Sequence, residues 1–217
     1  MEDRSDLIIA LFKEFISDLR SKLDEEEINK DDIYSILKDY EKKLRKITSN
    51  KKGEKPDFFL TFGESYIVDE EKPTRSYDIF KQAINRGRAG LCITRTHPES
   101  ISFYGSSENV RFIWLTSVNY RLGKVSSLQP TDLSLITNEI NSFIREGLKG
   151  IVLLDGVELL ITNNGFDSTA KALTSIKDNI RVNKGILIIS INLKTLREEE
   201  KNFLIREFNL IQIPART

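Results

Sequence analysis

Five short apolar runs constrain the fold of this chain more than any other feature. They cover residues 66–68, 90–94, 110–115, 151–155 and 185–191. The stretches between them place apolar residues at helical spacing. Strands that are apolar throughout are buried on both faces, and strands that alternate with amphipathic helices form parallel sheets. The sequence therefore predicts an α/β fold, in which a mostly parallel sheet has helices on both faces.

Helical spacing, together with the positions of proline and glycine, predicts the remaining elements of this domain. Helices are expected over about 73–86, 130–147, 166–180 and 195–208, the first two opened by proline and closed by glycine. Further strands are expected at 58–62 and 210–213. We interpret Asn163-Asn164-Gly165 as a turn before the third of these helices, in which Gly165 supplies a positive φ.

Residues 1–49 have a different pattern and predict a helical arm. Ile8, Phe12, Phe15 and Leu19 form one narrow apolar seam, and a second seam runs from Ile33 to Ile47. Two such helices form a hairpin or a coiled coil, and each alone buries too little surface to be stable. The polar residues 50–57 are interpreted as a linker, and residues 58–217 as the α/β domain.

Composition excludes several classes of protein. Lys+Arg and Asp+Glu are equal at 33 each, so no net charge attracts the chain to nucleic acid or to a membrane surface. The single cysteine, Cys92, rules out an internal disulfide. No run approaches the length of a membrane span, and the acidic N-terminus lacks the layout of a signal peptide. We therefore expect a cytoplasmic protein.

One local basic segment runs from Lys38 to Lys55. Apart from Tyr40, no aromatic residues are interleaved with its basic ones to stack on bases, so a solvated helix face is the favoured interpretation and a nucleic-acid contact is disfavoured. The candidates for that contact are Lys42, Lys43, Arg45 and Lys46.

Candidate site residues follow the predicted strands, because open parallel sheets bind ligands beyond the carboxyl ends of their strands. The candidate ligand or partner surface consists of Glu70, Lys72, Arg95, His97, Asp155, Glu158 and Asn164. With one histidine, one cysteine and no Gly-x-Ser-x-Gly motif, we predict no catalytic residue, no metal site and no cofactor.

The run Ile151-Val152-Leu153-Leu154-Asp155 has the form of a Walker B strand, whose acid helps hold Mg²⁺ in nucleotide hydrolases. Such enzymes also need a glycine-rich phosphate loop with a lysine, expected between residue 68 and the helix near Pro73. The segment there contains three acids and no glycine. Hydrolysis of ATP or GTP is therefore disfavoured, and an ion pair between Arg95 and Asp155 is the favoured role for this acid.

Four segments together resemble the archaeal family called domain of unknown function 835: SYIVDEEKP from Ser65, ITRTHPE from Ile93, IWLT from Ile113 and LLDGVELLI from Leu153. The resemblance covers about residues 62–208 and leaves the arm outside. It implies an archaeal domain that is often joined to other modules and has no established activity. The order of elements also resembles a degenerate RecA/KaiC-like core that lacks the Walker A loop.

Three functional hypotheses follow. The first is a non-catalytic regulatory or scaffold protein, whose core recognises a protein partner or small ligand and whose arm mediates docking or self-association. The second is a nucleotide-binding protein with an atypical phosphate site. The third is a nucleic-acid-associated factor that acts through the basic segment.

Overall fold

A computed structural model describes residues 4–23, 30–48, 60–104, 109–146 and 150–211. The chain divides into two compact units, Met1–Asp57 and Phe58–Thr217. Within the described residues, no helix is long and apolar enough to cross a membrane.

The first unit contains helices α1 (Arg4–Leu23) and α2 (Lys30–Thr48). Phe15 lies 5.1 Å from Tyr40 between ring centroids, and the Tyr40 hydroxyl donates to Asp18 Oδ2 at 2.6 Å. Lys43 Nζ lies 2.9 Å from Glu14 Oε1. Since later residues of α1 contact earlier residues of α2, the two helices form an antiparallel hairpin.

The described residues of the second unit form one eight-stranded sheet in the order β4-β5-β3-β2-β6-β7-β1-β8. The strands are β1 (Glu64–Asp69), β2 (Gly90–Thr94), β3 (Val110–Leu115), β4 (Arg121–Leu122), β5 (Val125–Leu128), β6 (Ile151–Asp155), β7 (Ile186–Ile191) and β8 (Asn209–Leu210). All neighbouring pairs are parallel except β4 and β5. The α/β prediction is therefore confirmed.

The helices of this unit cover both faces of the sheet. They are α3 (Arg75–Asn85), α4 (Leu133–Arg145), α5 (Val157–Asn164), α6 (Phe166–Val182) and α7 (Glu198–Glu207). Residues of α3 and alternate strand residues such as Cys92 and Leu153 form one core, and residues of α4, α5, α6 and α7 form the other with Ile93 and Leu154. The central strands β2, β6 and β7 are buried along their whole length.

Several sequence predictions need correction. The expected strand at 58–62 is wrong for residues 60–62, because β7 begins at Ile186, opposite Glu64, and offers no partner further back. The rest of that strand, and residues 212–213 of the expected last strand, lie outside the described residues. Asn163 and Asn164 end helix α5 instead of forming a turn, whereas Gly165 has the predicted positive φ of 80°.

Candidate functional site

A cleft of about 500 Å³ opens at the carboxyl ends of β1, β2, β6 and β7. Helix α3 leaves β1 towards one face of the sheet, whereas α5 leaves β6 towards the other. Connections that diverge in this way open a crevice at the strand ends, where α/β proteins bind ligands. Glu70, Arg95, Asp155 and Glu158 line this cleft.

Glu70 follows β1, and its carboxylate caps the start of helix α3. Oε2 accepts hydrogen bonds from the backbone N–H groups of Thr74 at 3.1 Å and Arg75 at 2.8 Å. Oε1 accepts from the N–H of Ser76 at 3.2 Å and from the Ser190 hydroxyl at 2.8 Å. The free N–H groups and the dipole of a helix start attract an anion, and here that anion is the carboxylate of Glu70.

Asp155 ends β6 at the floor of the cleft, where only 8% of its surface is exposed. Its Oδ2 accepts the hydroxyl proton of Thr94 at 2.7 Å. Thr94 Oγ1 lies 2.8 Å from the Tyr77 hydroxyl. Since Thr94 has a single proton to donate, it accepts from Tyr77, and the three side chains form a hydrogen-bonded chain. The register of β2 and β6, with Ile93 opposite Leu154, brings Thr94 beside Asp155.

Burial raises the pKa of the Asp155 carboxyl, because leaving water disfavours the charged form. The hydrogen bonds from Thr94 and from the backbone N–H of Arg95 oppose this rise, and the nearby charge of Glu158 adds to it. Burial likewise raises the pKa of the Tyr77 hydroxyl, so Tyr77 remains a neutral donor. A perturbed carboxyl in a cleft is a common mark of a functional position.

The predicted ion pair between Arg95 and Asp155 is absent, although both residues lie in the described part of the chain. Asp155 instead accepts a hydrogen bond from the hydroxyl of Thr94. The Arg95 side chain is exposed, and its aliphatic stem crosses Gly156 so closely that an added Cβ there would lie 2.5 Å from Arg95 Cγ. Gly156 also has a φ of 97°, which favours glycine. Asp155 is thus held by neutral donors, and the charge of Arg95 lowers its pKa only as a lesser cause.

Two further carboxylates hold the turn after β7. Glu158 Oε1 accepts from the N–H of Asn192 at 2.8 Å, and Asp69 Oδ1 accepts from the N–H of Leu193 at 3.0 Å. Asn192 Oδ1 in turn accepts from the N–H of Lys194 at 3.1 Å. These bonds fix the wall of the cleft formed by the end of β7.

The other three candidates lie outside the cleft. Lys72 is exposed on the turn before α3. His97 packs edge-on against Trp114 and Tyr120, with ring centroids 4.7 Å and 5.8 Å away. Asn164 donates to the carbonyl oxygens of Pro130 at 2.8 Å and Leu160 at 2.9 Å, and so connects α5 to the loop before α4. His97 and Asn164 therefore make packing and backbone contacts in this structure.

The basic candidates on α2 do not form one free surface. Lys43 pairs with Glu14, lies 3.9 Å from Asp39 Oδ2 and is placed over the Tyr40 ring at 4.4 Å. Lys42 is exposed. The side chains of Arg45 and Lys46 lie outside the described residues.

The chemistry of the cleft is set by its charges. Among the described residues that line it, four are acids, Glu70, Glu71, Asp155 and Glu158, and one is a cation, Arg95. Within the described ranges, no three His, Cys, Asp or Glu side chains converge as a metal site requires. Cys92 is fully buried, and burial raises the pKa of its thiol well above the ordinary value, so this group stays protonated.

Sequence reasoning missed two parts of this site. The helical spacing of Tyr77 with Phe80 and Ile84 predicts only a packing role for this residue, yet its hydroxyl reaches Thr94 and Asp155. The capping role of Glu70 was also missed, although an acid shortly before a helix start is a known signal for it. Ser190 could be placed at the end of its strand, but its bond to Glu70 depends on the pairing of β1 with β7.

Two comparisons with known proteins bear on the identity of the chain. A search of curated proteins gives no match. The family model described as "Protein of unknown function (DUF835)" matches residues 69–208, which is more than half of the chain and includes the whole cleft. This chain therefore belongs to the DUF835 family.

Proposed function

We propose that this protein is a non-catalytic regulatory or scaffold protein whose cleft recognises a protein partner or a small ligand. One observation carries the proposal. The carboxylate of Glu70 accepts from three N–H groups at the start of α3 and from the Ser190 hydroxyl, in the place where a nucleotide-binding core would hold a phosphate. A ligand that brings its own phosphate there would meet both an occupied position and a like charge.

The rest of the cleft supports a recognition role. Its volume of about 500 Å³ lies within the range typical of small-ligand sites. Glu71 and Arg95 are exposed at its rim, and among the described residues their side chains make no hydrogen bond or ion pair. Exposed charges of both signs beside a buried polar floor suit a partner side chain or a small polar ligand.

The arm supports the second half of the proposal, which is docking or self-association. Phe12 is 60% exposed and Tyr34 is 62% exposed, and Ile16 and Leu37 are also exposed. Apolar side chains left in water on a two-helix hairpin favour contact with another surface. We propose that the hairpin supplies this contact.

We also propose that the core is a RecA-like fold that functions as a pseudo-ATPase, without nucleotide hydrolysis. Strand β7 lies between β1 and β6, so the loop after β1 and the Walker-B-like Asp155 face the same cleft. This arrangement supports the relation to RecA-like cores. The carboxylate of Glu70 argues against nucleotide hydrolysis.

Assays of nucleotide binding and hydrolysis test whether the cleft lacks nucleotide function. We expect no change in melting temperature when ATP or GTP is added with Mg²⁺ at millimolar concentration, and no phosphate release. A saturable upward shift would instead favour the alternative of an atypical nucleotide site. Salt-sensitive binding to DNA or RNA would favour the third hypothesis, because phosphate contacts weaken as salt rises.

The recognition role is tested by affinity capture from the native cell, with three full-length baits compared quantitatively. The baits are wild type, the rim variant E71R and the matched loop variant K72E, which lies outside the cleft. We expect a partner that E71R loses and K72E retains. Partners retained equally by all three baits would argue against recognition through the cleft.

Self-association is tested by light scattering on the full chain and on the double variant F12S/L37S. We expect a wild-type mass above that of one chain and a single-chain mass for the variant. A wild type that is monomeric at high concentration would remove self-association from the proposal and leave docking to another protein.

A further inference from the structure

The loop between β1 and α3 matches the register of a phosphate loop. The motif G-x-x-x-x-G-K-[ST] aligns without a gap on Asp69–Ser76, which reads DEEKPTRS. Arg75 then takes the place of the motif's lysine and Ser76 that of its serine or threonine. The loop leaves the end of β1 and leads into the first turn of α3, which is the strand–loop–helix setting of that motif.

The donors of a phosphate loop are also present. In the motif, successive backbone N–H groups hold the phosphate oxygens. Here the N–H groups of Thr74, Arg75 and Ser76 all point at one carboxylate, and the Ser190 hydroxyl, on a side chain 3% exposed, points at the same group. The Ser76 hydroxyl is wholly buried and has no hydrogen-bond partner among the described residues.

We propose that Glu70 is an internal anion that closes a latent oxyanion site in this loop. Its carboxylate supplies the two acceptor oxygens that a phosphate would otherwise bring. Because Glu70 belongs to the loop that it occupies, it competes at the high local concentration of an intramolecular group. The chemical class of ligand that the loop accepts, once the carboxylate is removed, is an inorganic oxyanion such as phosphate or sulfate.

The test uses the full-length E70A variant with inorganic phosphate as the probe. E70A leaves four donors without an acceptor, so we expect its melting temperature to fall by about 12 °C in chloride buffer, more than that of E70Q. Phosphate at equal ionic strength should recover at least half of this loss in E70A and leave wild type unchanged. E71A is the matched control, because it removes a neighbouring acid that has no partner in the described part of the chain.

A second variant, E70Q, keeps the loop occupied. Its amide retains the volume and one acceptor oxygen, so we expect a smaller loss of stability than in E70A and no response to phosphate. If E70A does not fold in chloride, the proposal requires that it fold in phosphate.

The proposal is overturned if E70A melts like wild type, if phosphate does not raise the melting temperature of E70A more than that of E71A, or if E70A folds in neither buffer while E70Q is stable. These outcomes are separate from the tests of the proposed function, because those tests concern nucleotide binding by wild type and the partners or self-association of proteins that keep Glu70.

Discussion

Two carboxylates on opposite sides of one cleft have opposite relations to the stability of the fold. Glu70, on the β1–α3 side, receives four hydrogen bonds, three of them from the positive end of a helix. Asp155, on the β2–β6 side, is buried, receives its side-chain bond from Thr94, and has a raised pKa. The charge of Glu70 therefore stabilises the fold, and the charge of Asp155 destabilises it.

This difference indicates which side of the cleft is available for function. A carboxylate that is fully bonded within the chain has little capacity for a ligand. A carboxylate whose charge costs folding free energy gains from a ligand that donates a hydrogen bond or brings a positive charge. We therefore expect ligand recognition to involve the Asp155 side, and four substitutions test the comparison.

The largest expected effect is that of E70Q. The amide keeps one acceptor but turns an N–H₂ group towards donors, and it removes the charge that interacts with the helix dipole. We expect a loss of about 2–3 kcal/mol in the free energy of unfolding, measured by urea denaturation. A loss no larger than that of E71Q would show that the cap contributes little.

The next effect is that of T94V, which removes the hydroxyl between Tyr77 and Asp155 while keeping the shape of the side chain. The Asp155 carboxylate then loses its nearest donor, and the N–H of Thr96, 3.0 Å from Thr94 Oγ1, loses its acceptor. We expect a loss of about 2 kcal/mol at neutral pH. T94S is the control, since it keeps the hydroxyl, and equal losses in the two variants would assign the effect to packing.

D155N should act in the opposite direction to E70Q, although both change a carboxylate to an amide. Because the folded-state pKa of Asp155 is raised, ionisation opposes folding at pH values above that pKa. We expect D155N to be more stable than wild type by on the order of 1 kcal/mol at pH 7.

The gain in D155N should disappear as the pH falls below about 4, where the carboxyl is protonated in the unfolded chain as well. Urea titrations of both proteins at pH 7 and at acid pH measure this. A variant that is less stable than wild type at neutral pH would contradict the comparison.

The smallest effect is expected for Y77F. The ring keeps its edge-on contact with Phe103 at 5.6 Å, and only the hydroxyl that donates to Thr94 is lost. We expect a loss of about 0.5–1 kcal/mol. Because the bond from Thr94 to Asp155 remains, the pH dependence of stability should match that of wild type. A changed pH dependence would show that the longer contact of the Tyr77 hydroxyl with Asp155 Oδ2, at 3.5 Å, also stabilises the carboxylate.

The sequence predicted the positions of the strands more accurately than the contacts between them. The runs at 90–94, 110–115 and 151–155 coincide with β2, β3 and β6, because uniformly apolar strands are recognisable locally. The hairpin of β4 and β5 was not predicted, since its segments are short and only half apolar. Helix α5 was missed for a related reason, because it continues almost directly from β6 through Gly156 alone.

The sequence by itself determined the α/β class and placed Glu70, Arg95, Asp155 and Glu158 at strand ends, because local periodicity reports which segments are buried strands and where they stop. Only the tertiary structure decided which groups meet. Strand pairing brings Thr94 beside Asp155 and Ser190 between the two sides of the cleft, and the turn before α3 directs the Glu70 carboxylate at three backbone N–H groups. Those partners are distant in the chain or belong to the backbone, so a residue pattern can signal a cap such as Glu70 but does not encode which groups it contacts.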